Sequence, residues 1–198
     1  MNDLCDNELR FKSIKIHFIE DTYENIFSNK NNKTVEETLK HQRYRKLQNQ
    51  IELRYPSYLN WRLGNFLLEL KSKNDDFYLR FLNKYGDLNY GTFYINDPQY
   101  LDKKGLYLYS INGKIMYVGR CRDSFKKRIN QGYGKIHPKN CYIDGQATNC
   151  HLNHLITKNK NDVKLFICDL EKESDIIKLE EKIIRKYKPP WNITLSKW

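Results

Sequence analysis

Helical spacing of apolar positions dominates the first half of the chain. It recurs over residues 35–53 and again over 57–73, and a third helix is predicted over 75–84. Thr34 followed by Glu37 fits a capping box, which would start the first of these helices. The sequence therefore predicts a mainly helical N-terminal region.

The spacing of apolar positions is no longer helical after the turn-rich stretch "KYGDLNYG". "GLYLYSI" and "IMYVGR" read as two strands, and the Asn-Gly pair between them is the strongest short-range signal for a hairpin. "DVKLFICDL" predicts a third strand, and "SDIIKLEEKIIRKY" predicts an amphipathic helix capped by Ser174 or Asp175. Residues 11–18 alternate only partly and give a weak strand signal.

These elements predict an α+β protein. A small three-stranded antiparallel sheet flanked by helices should occupy residues 96–198, and the mainly helical region should occupy residues 1–95. The helical region is expected to serve DNA recognition or dimerisation.

Charge is distributed unevenly. The net charge is +11, and residues 101–198 carry 20 Lys/Arg against 10 Asp/Glu. A basic half indicates a polyanionic partner, and nucleic acid is favoured over a membrane surface because this half shows no basic amphipathic helix with Trp/Leu on its other face. No apolar run approaches the roughly 20 residues that span a bilayer. The N-terminus lacks a signal pattern, so a cytoplasmic protein is expected.

Four side chains in the second half suit phosphodiester hydrolysis. Tyr107 and Tyr117 can share one face of the hairpin, and Gly119 is expected to turn the chain into a helix from which Arg128 reaches back. Glu180 lies at the edge of the apolar stripe of the last helix. A carboxylate can hold a divalent metal, arginine can stabilise charge on phosphate oxygens, and a tyrosine hydroxyl can position or deprotonate water.

A purely structural interpretation also exists for each of them, because hairpin tyrosines often pack and charged residues often lie on solvated helix faces. The order of these residues along the chain decides between the catalytic and the structural interpretation. "GLY", "YVG", an arginine on the following helix, a glutamate on a later helix and a terminal "PPWN" resemble the GIY-YIG nuclease family over about residues 103–193. The resemblance implies catalytic roles for Tyr107, Tyr117, Arg128, Glu180 and Asn192, with Glu180 as the metal ligand.

One position departs from the family pattern. Many members carry His or Tyr one turn after the arginine, where this chain has Gly132. Tyr133 in a shifted register and His137 from the loop are both candidates for that helper. Glu181 is a second candidate for the metal carboxylate. The predicted substrate contacts are Lys126, Lys127, Tyr133, Lys135, His137 and Lys139.

A long insert follows the arginine helix. It is similar to inserts of the restriction-endonuclease branch and contains Cys141, Cys150, His151 and His154. Their spacing is not that of a standard zinc finger, so we favour a folded loop over structural zinc. The five cysteines are odd in number and are expected to be reduced thiols, as in the cytosol.

The resemblance therefore implies a site-specific, Mg²⁺-dependent endonuclease on double-stranded DNA, with Mn²⁺ as a possible substitute. The type II restriction branch is the leading interpretation, and a homodimer is expected because two strands must be cut. Three alternatives stay open: a homing enzyme, a structure-specific repair endonuclease and a catalytically inactive DNA-binding module. A nuclease domain that runs to Trp198 counts against the homing enzyme.

Overall fold

The structure is a computed structural model that describes residues 9–193 and the backbone of residues 4–6. The protein is α+β, with antiparallel sheets and helices. It divides into two compact units, each built from separate stretches of chain. The first unit combines residues 1–20, 91–135 and 155–198, and the second combines residues 21–90 and 136–154. The roles predicted for residues 1–95 stay a prediction.

The first unit is built on a five-stranded sheet in the order β1-β2-β7-β5-β6, and every pair in it is antiparallel. A separate two-stranded sheet pairs β3 with β4. The strands are β1 Leu4–Asp6, β2 Leu9–Ile14, β3 His17–Tyr23, β4 Tyr90–Tyr94, β5 Gly105–Ile111, β6 Lys114–Cys121 and β7 Val163–Asp169.

The prediction of a three-stranded sheet is wrong in the number of strands. The three predicted strands are present as β5, β6 and β7, but β2 extends the sheet by pairing with β7 from Lys12↔Ile167 to Ile14↔Leu165. The weak alternation over residues 11–18 conceals two strands, because the chain breaks between Ile14 and His17. Phe11 and Ile14 of β2 are buried, whereas most of β3 is exposed.

The hairpin between β5 and β6 forms as predicted. Asn112 and Gly113 both take positive φ angles, 49° and 78°, as a type I′ turn requires. The ladder runs from Gly105↔Cys121 to Ile111↔Lys114 and shifts register after Tyr109. Because Tyr109 pairs with Tyr117 and Ser110 with Ile115, one extra residue bulges out of β6.

The α-helices are α1 Val35–Leu39, α2 Gln48–Arg54, α3 Leu63–Ser72, α4 Ala147–Lys158 and α5 Glu173–Tyr187. The first is capped by Thr34, whose side chain and that of Glu37 form the predicted capping box. Helix α5 begins at Glu173 with Lys172 as its N-cap, so neither Ser174 nor Asp175 takes the predicted capping position.

The helix predicted over residues 35–53 is interrupted. Between α1 and α2 the chain turns and buries Tyr44, whose ring stacks on Phe81 and whose hydroxyl donates to Asp144 at 2.5 Å. The polar run "KHQR" offers no apolar residue to continue the helical stripe, so the turn is favoured there. Residues 75–84 likewise form a 3₁₀ helix, Asp76–Phe81, rather than an α-helix.

The core of the second unit is separate from that of the sheet. It gathers the buried faces of α1, α2 and α3 with aromatic side chains such as Phe27, Phe66 and Phe81. The sheet of the first unit packs α5 on one face through Leu108, Val118 and Ile183. Among the residues that the structure describes, no helix has both the length and the apolar character needed to cross a membrane.

Candidate active site

Three tyrosines of the hairpin meet on one face of the sheet. Tyr107 pairs with Gly119 and Tyr109 pairs with Tyr117, so their side chains point the same way. The ring centres of Tyr107 and Tyr117 are 6.0 Å apart. Gly119 lies inside β6 and does not turn the chain, contrary to the expectation. A Cβ there would stand 2.6 Å from the Tyr107 hydroxyl, so glycine makes room for the tyrosines.

Arg128 reaches the same face from a π-helix, Lys126–Tyr133. Its Nε donates to the Tyr107 hydroxyl at 3.0 Å. A π-helix closes i→i+5 bonds, as Gly134 N to Ile129 O does at 2.7 Å, so the fifth residue after the arginine returns to its side. That residue is Tyr133, whose ring centre lies 5.6 Å from the Arg128 guanidinium carbon.

Of the two helper candidates, the structure brings Tyr133 into this cluster. Its hydroxyl lies 2.9 Å from that of Tyr109, and the side chain is fully buried. His137 belongs to the second unit, where its Nδ1 accepts from the backbone N–H of Lys139 at 3.2 Å. The longer π-turn places Tyr133, and not Gly132, beside Arg128, and the helper role of Tyr133 stays a prediction.

Burial dominates the titration of the tyrosines. Desolvation raises the pKa of Tyr107, although the positive charge of Arg128 and a hydrogen bond with Tyr117 oppose it. Desolvation and the neighbouring Tyr107 hold the pKa of Tyr117 well above its usual value. Both phenols are therefore protonated at neutral pH in this structure, which favours water positioning over deprotonation.

Glu180 lies on the other face of the hairpin. Its neighbours one turn away on α5, Ile176 and Ile184, are buried against the sheet, and Glu180 itself is only 8% exposed. Its Oε2 accepts from Arg120 Nη1 at 2.5 Å. Desolvation raises the pKa of Glu180, while the charges of Arg120 and Arg128 oppose the shift. Glu181, the second carboxylate candidate, is exposed.

The candidate residues lie on both faces of the hairpin. Tyr107 and Tyr117 stand on one face of the hairpin and Arg120 on the other, because residues 117 and 120 differ in parity along β6. Strand β6 is the last strand of the sheet, so groups on both faces can approach one ligand around its edge.

Asn192 supports that edge. Its Oδ1 accepts from Val118 N at 2.9 Å and its Nδ2 donates to Val118 O at 2.7 Å. The preceding Trp191 donates its backbone N–H to Met116 O at 2.9 Å. The segment after α5 thus satisfies backbone groups of β6 beside Tyr117, which indicates a positioning function for Asn192.

The predicted phosphate contacts are mostly exposed side chains. Lys126, Lys127 and Lys135 belong to the first unit, and Lys127 pairs with Asp123 at 3.0 Å. Lys139 is exposed in the second unit. Tyr133, in contrast, is fully buried and lies beneath Arg128 rather than at the surface.

The insert holds two buried thiols, Cys141 and Cys150. The nearby histidines make other contacts: the ring of His151 lies 4.5 Å from that of Tyr85, and His154 Nδ1 lies 2.9 Å from Asn89 O. Within the described residues, no group of three or more His, Cys, Asp and Glu side chains could hold a metal ion.

The other described cysteines, Cys121 and Cys168, are also free thiols, whereas the side chain of Cys5 lies outside the described residues. Burial raises the pKa of Cys168 to about 11. These buried thiols therefore stay protonated at neutral pH and behave as small apolar residues.

The sequence interpretation assigned no role to two residues that contact the predicted site residues. Arg120 contacts Glu180, and Tyr109 contacts Tyr133. Strand alternation does contain a signal for Arg120, because it places this charge among the core-facing positions of β6, where a charge requires a partner.

Comparison with known proteins finds a similarity that covers about half of this chain. The chain is 30% identical over 95 residues to the UvrABC system protein C of Fusobacterium nucleatum, which is 48% of this chain and 14% of that protein. It is 33% identical over 95 residues to the protein of the same name from Mycoplasma genitalium, or 48% of this chain and 13% of that protein. For the Mesoplasma florum protein the identity is 34% over 95 residues, or 48% of this chain and 14% of that protein.

The chain thus spans about 14% of the length of these curated relatives. No family model matches it. No solved structure matches it significantly.

Proposed function

We propose that this protein is a divalent-metal-dependent DNA endonuclease of the GIY-YIG type. The observation that carries the proposal is the hydrogen bond from Arg128 to Tyr107, formed in the same compact unit as the buried carboxylate of Glu180. Strand register and the π-helix support the proposal, because the arginine and the phenols share one face of the hairpin and the carboxylate lies in the same unit.

The metal fits what the site offers. Mg²⁺ keeps several waters and is commonly bound through one or two carboxylates and substrate phosphates, so a single glutamate suffices as its protein ligand. Glu180 is a buried anion whose ionised form is penalised by desolvation, and such a group favours a cation beside it. When bound, Mg²⁺ or Mn²⁺ would polarise the scissile phosphate.

The protein's own side chains would do the remaining work. The bond to Tyr107 uses one of the five N–H donors of the Arg128 guanidinium, which offers the others in a planar fork suited to phosphate oxygens. Tyr107 accepts that bond and would orient the attacking water through its hydroxyl. Asn192 and Gly119 keep β6 in place and leave the tyrosines room.

The matched relatives bear on the kind of nuclease. They are named as components of the UvrABC system, and this supports the structure-specific repair interpretation better than the type II restriction interpretation. We therefore propose incision at a structural feature of DNA rather than at a fixed sequence. The expected homodimer remains a prediction that analytical ultracentrifugation can test.

A panel of substrates tests the proposal. Labelled oligonucleotide duplexes of one sequence would be incubated with Mg²⁺ as perfect duplex, as bubble and as a duplex with one bulky adduct. Incision near the bubble or adduct, at a position that moves with the feature, supports the repair interpretation. Discrete bands from plain phage DNA would support the restriction interpretation, and no cleavage of any DNA would contradict the nuclease assignment.

A further inference from the structure

The carboxylate that we assign to the metal already has a cationic partner. We propose that Arg120 is a positioning residue that occupies Glu180 until DNA arrives and then leaves it for a DNA phosphate, so that DNA binding and metal binding are coupled. This inference rests on the proposed function, because it takes Glu180 as the metal ligand.

The ion pair is close but unequally exposed. Arg120 Nη1 and Glu180 Oε2 are 2.5 Å apart, and the two side chains are 36% and 11% exposed. The arginine therefore borders solvent, whereas the carboxylate is enclosed by α5 and the sheet. If the pair opens, the guanidinium is the partner that can swing away while the carboxylate stays.

The helix keeps the carboxylate in place. Glu180 lies on α5 between Ile176 and Ile184, which are buried against the sheet, so its position does not depend on the guanidinium alone. Charge neutralisation is therefore the contribution of the Arg120 side chain that matters for metal binding.

Charge then decides the competition. A guanidinium and a divalent cation on the same carboxylate repel each other, so Arg120 should weaken metal binding in the absence of DNA. A phosphate offers the guanidinium another anionic, bidentate partner. DNA would thus release Glu180 and raise the metal affinity, and by linkage the metal would raise the DNA affinity by the same factor.

The direct test is Mn²⁺ binding to the 198-residue protein without DNA, followed by electron paramagnetic resonance. We expect Arg120→Gln to bind Mn²⁺ roughly tenfold more tightly than the wild type, within the range of about 5- to 150-fold that such couplings show. Arg122→Gln is the matched control, because Arg122 lies two residues further along and pairs with exposed Glu173 at 2.9 Å. It should bind Mn²⁺ like the wild type.

The effect of DNA on Mn²⁺ binding gives a second measurement. A phosphorothioate duplex, which is cut slowly, should raise the Mn²⁺ affinity of both proteins, because its phosphates also contact the metal. The increase should be larger in the wild type than in Arg120→Gln, since only the wild type has a guanidinium to release, and equal increases would contradict the coupling. If Arg120→Gln does not fold, as judged by circular dichroism, Arg120→Ala, which also removes the charge, takes its place.

The outcomes separate this inference from the proposed function. Unchanged or weaker Mn²⁺ binding by folded Arg120→Gln, or a wild-type affinity that DNA does not alter, overturns the coupling. If Glu180→Gln binds Mn²⁺ as tightly as the wild type, the assigned metal ligand is wrong and the proposed function loses its basis. Loss of binding in Glu180→Gln without a gain in Arg120→Gln contradicts only the role of Arg120.

Discussion

Tyr107 connects the hairpin to the arginine of the π-helix in the candidate site. It is fully buried, faces Gly119 and accepts the hydrogen bond of Arg128. Its raised pKa means that the neutral phenol is the form present at pH 7. The oxygen atom is thus placed to orient partners, and the ring serves as scaffold.

Removal of that oxygen gives the first prediction. Tyr107→Phe should fold normally and keep its DNA affinity, because the ring volume is unchanged. Its single-turnover cleavage rate should fall by about a hundredfold, the scale of a lost water-positioning or acid–base group. Tyr109→Phe is the control, since the hydroxyl of Tyr109 contacts Tyr133 and not Arg128. Equal rates for both variants and the wild type would show that Tyr107 only packs.

Some residues of the candidate site could be predicted from the sequence, and others could not. Tyr107, Arg128 and Glu180 could be chosen as candidates because their order and spacing along the chain resemble a known motif. Arg120 was overlooked because its partner is 60 residues away and on another element. The importance of Arg120 follows from two facts together: its side chain lies on the face of β6 that packs against α5, and Glu180 is buried on that helix. Only the tertiary packing brings these two facts together.

At the scale of elements, the π-helix positions the arginine. It ends at Gly134, whose N–H donates to Ile129 O and whose carbonyl accepts from Phe93 N at 2.9 Å. A Cβ at position 134 would stand 2.3 Å from Phe93 O. The close backbone approach therefore requires glycine there.

The neighbouring glycine gives a matched comparison. A Cβ at position 132 would meet only Lys127 O, at 3.3 Å, which a small shift can relieve. We expect Gly134→Ala to lower the free energy of unfolding by about 2 kcal/mol, in line with other substitutions that force a backbone shift. Gly132→Ala should change it by less than half as much. Urea denaturation followed by circular dichroism measures both, and equal effects would contradict this view of how the helix ends.

A hydrogen bond of the second unit links stability to pH. Tyr55 donates to Asp75 at 2.5 Å. This bond is the largest cause that lowers the pKa of Asp75, whereas desolvation and then Asp75 raise the pKa of Tyr55 to about 12. The stability from Asp75 is present above about pH 4 and is lost as the pH falls through its lowered pKa. The stability from Tyr55 is present below about pH 10 and is lost as the pH rises through about 12.

Tyr55→Phe should therefore be most harmful at neutral pH. Loss of a bond to a carboxylate, partly exposed here, should cost about 1–2 kcal/mol at pH 7. The difference from the wild type should shrink as the pH falls through the lowered pKa of Asp75, where the carboxyl becomes protonated. Thermal unfolding across this pH range measures it, and a difference that is constant with pH would contradict the assigned bond.

The elements themselves were predicted unevenly. The hairpin turn at Asn112 and Gly113 and the capping box at Thr34 were confirmed, because both are local signals. The strand β2 was only suggested, since its partner β7 lies about 150 residues further along the chain. The break after α1 had only the polar run "KHQR" as a local signal, and the burial of Tyr44 there depends on the distant residues Phe81 and Asp144.

On the scale of the whole molecule, charge is the property most relevant to DNA. The net charge of +11 is concentrated in residues 101–198, which carry 20 Lys/Arg and 10 Asp/Glu. Phosphate contacts release counterions, so about six contacts should lower the affinity on the order of a thousandfold between 50 and 200 mM salt. A gel-shift titration measures this slope. A nearly flat response would argue against DNA as the partner.

The measurement that tests the central claim most directly is Mg²⁺-dependent DNA cleavage by Glu180→Gln beside Glu181→Gln. The two glutamates are adjacent on α5, but Glu180 is buried against Arg120 and Glu181 is exposed. The account predicts that Glu180→Gln loses cleavage by several orders of magnitude and still binds DNA, since it removes the only carboxylate we assign to the metal. Glu181→Gln should cut like the wild type. Near wild-type cleavage by Glu180→Gln, or loss of cleavage in Glu181→Gln alone, would contradict the site described here.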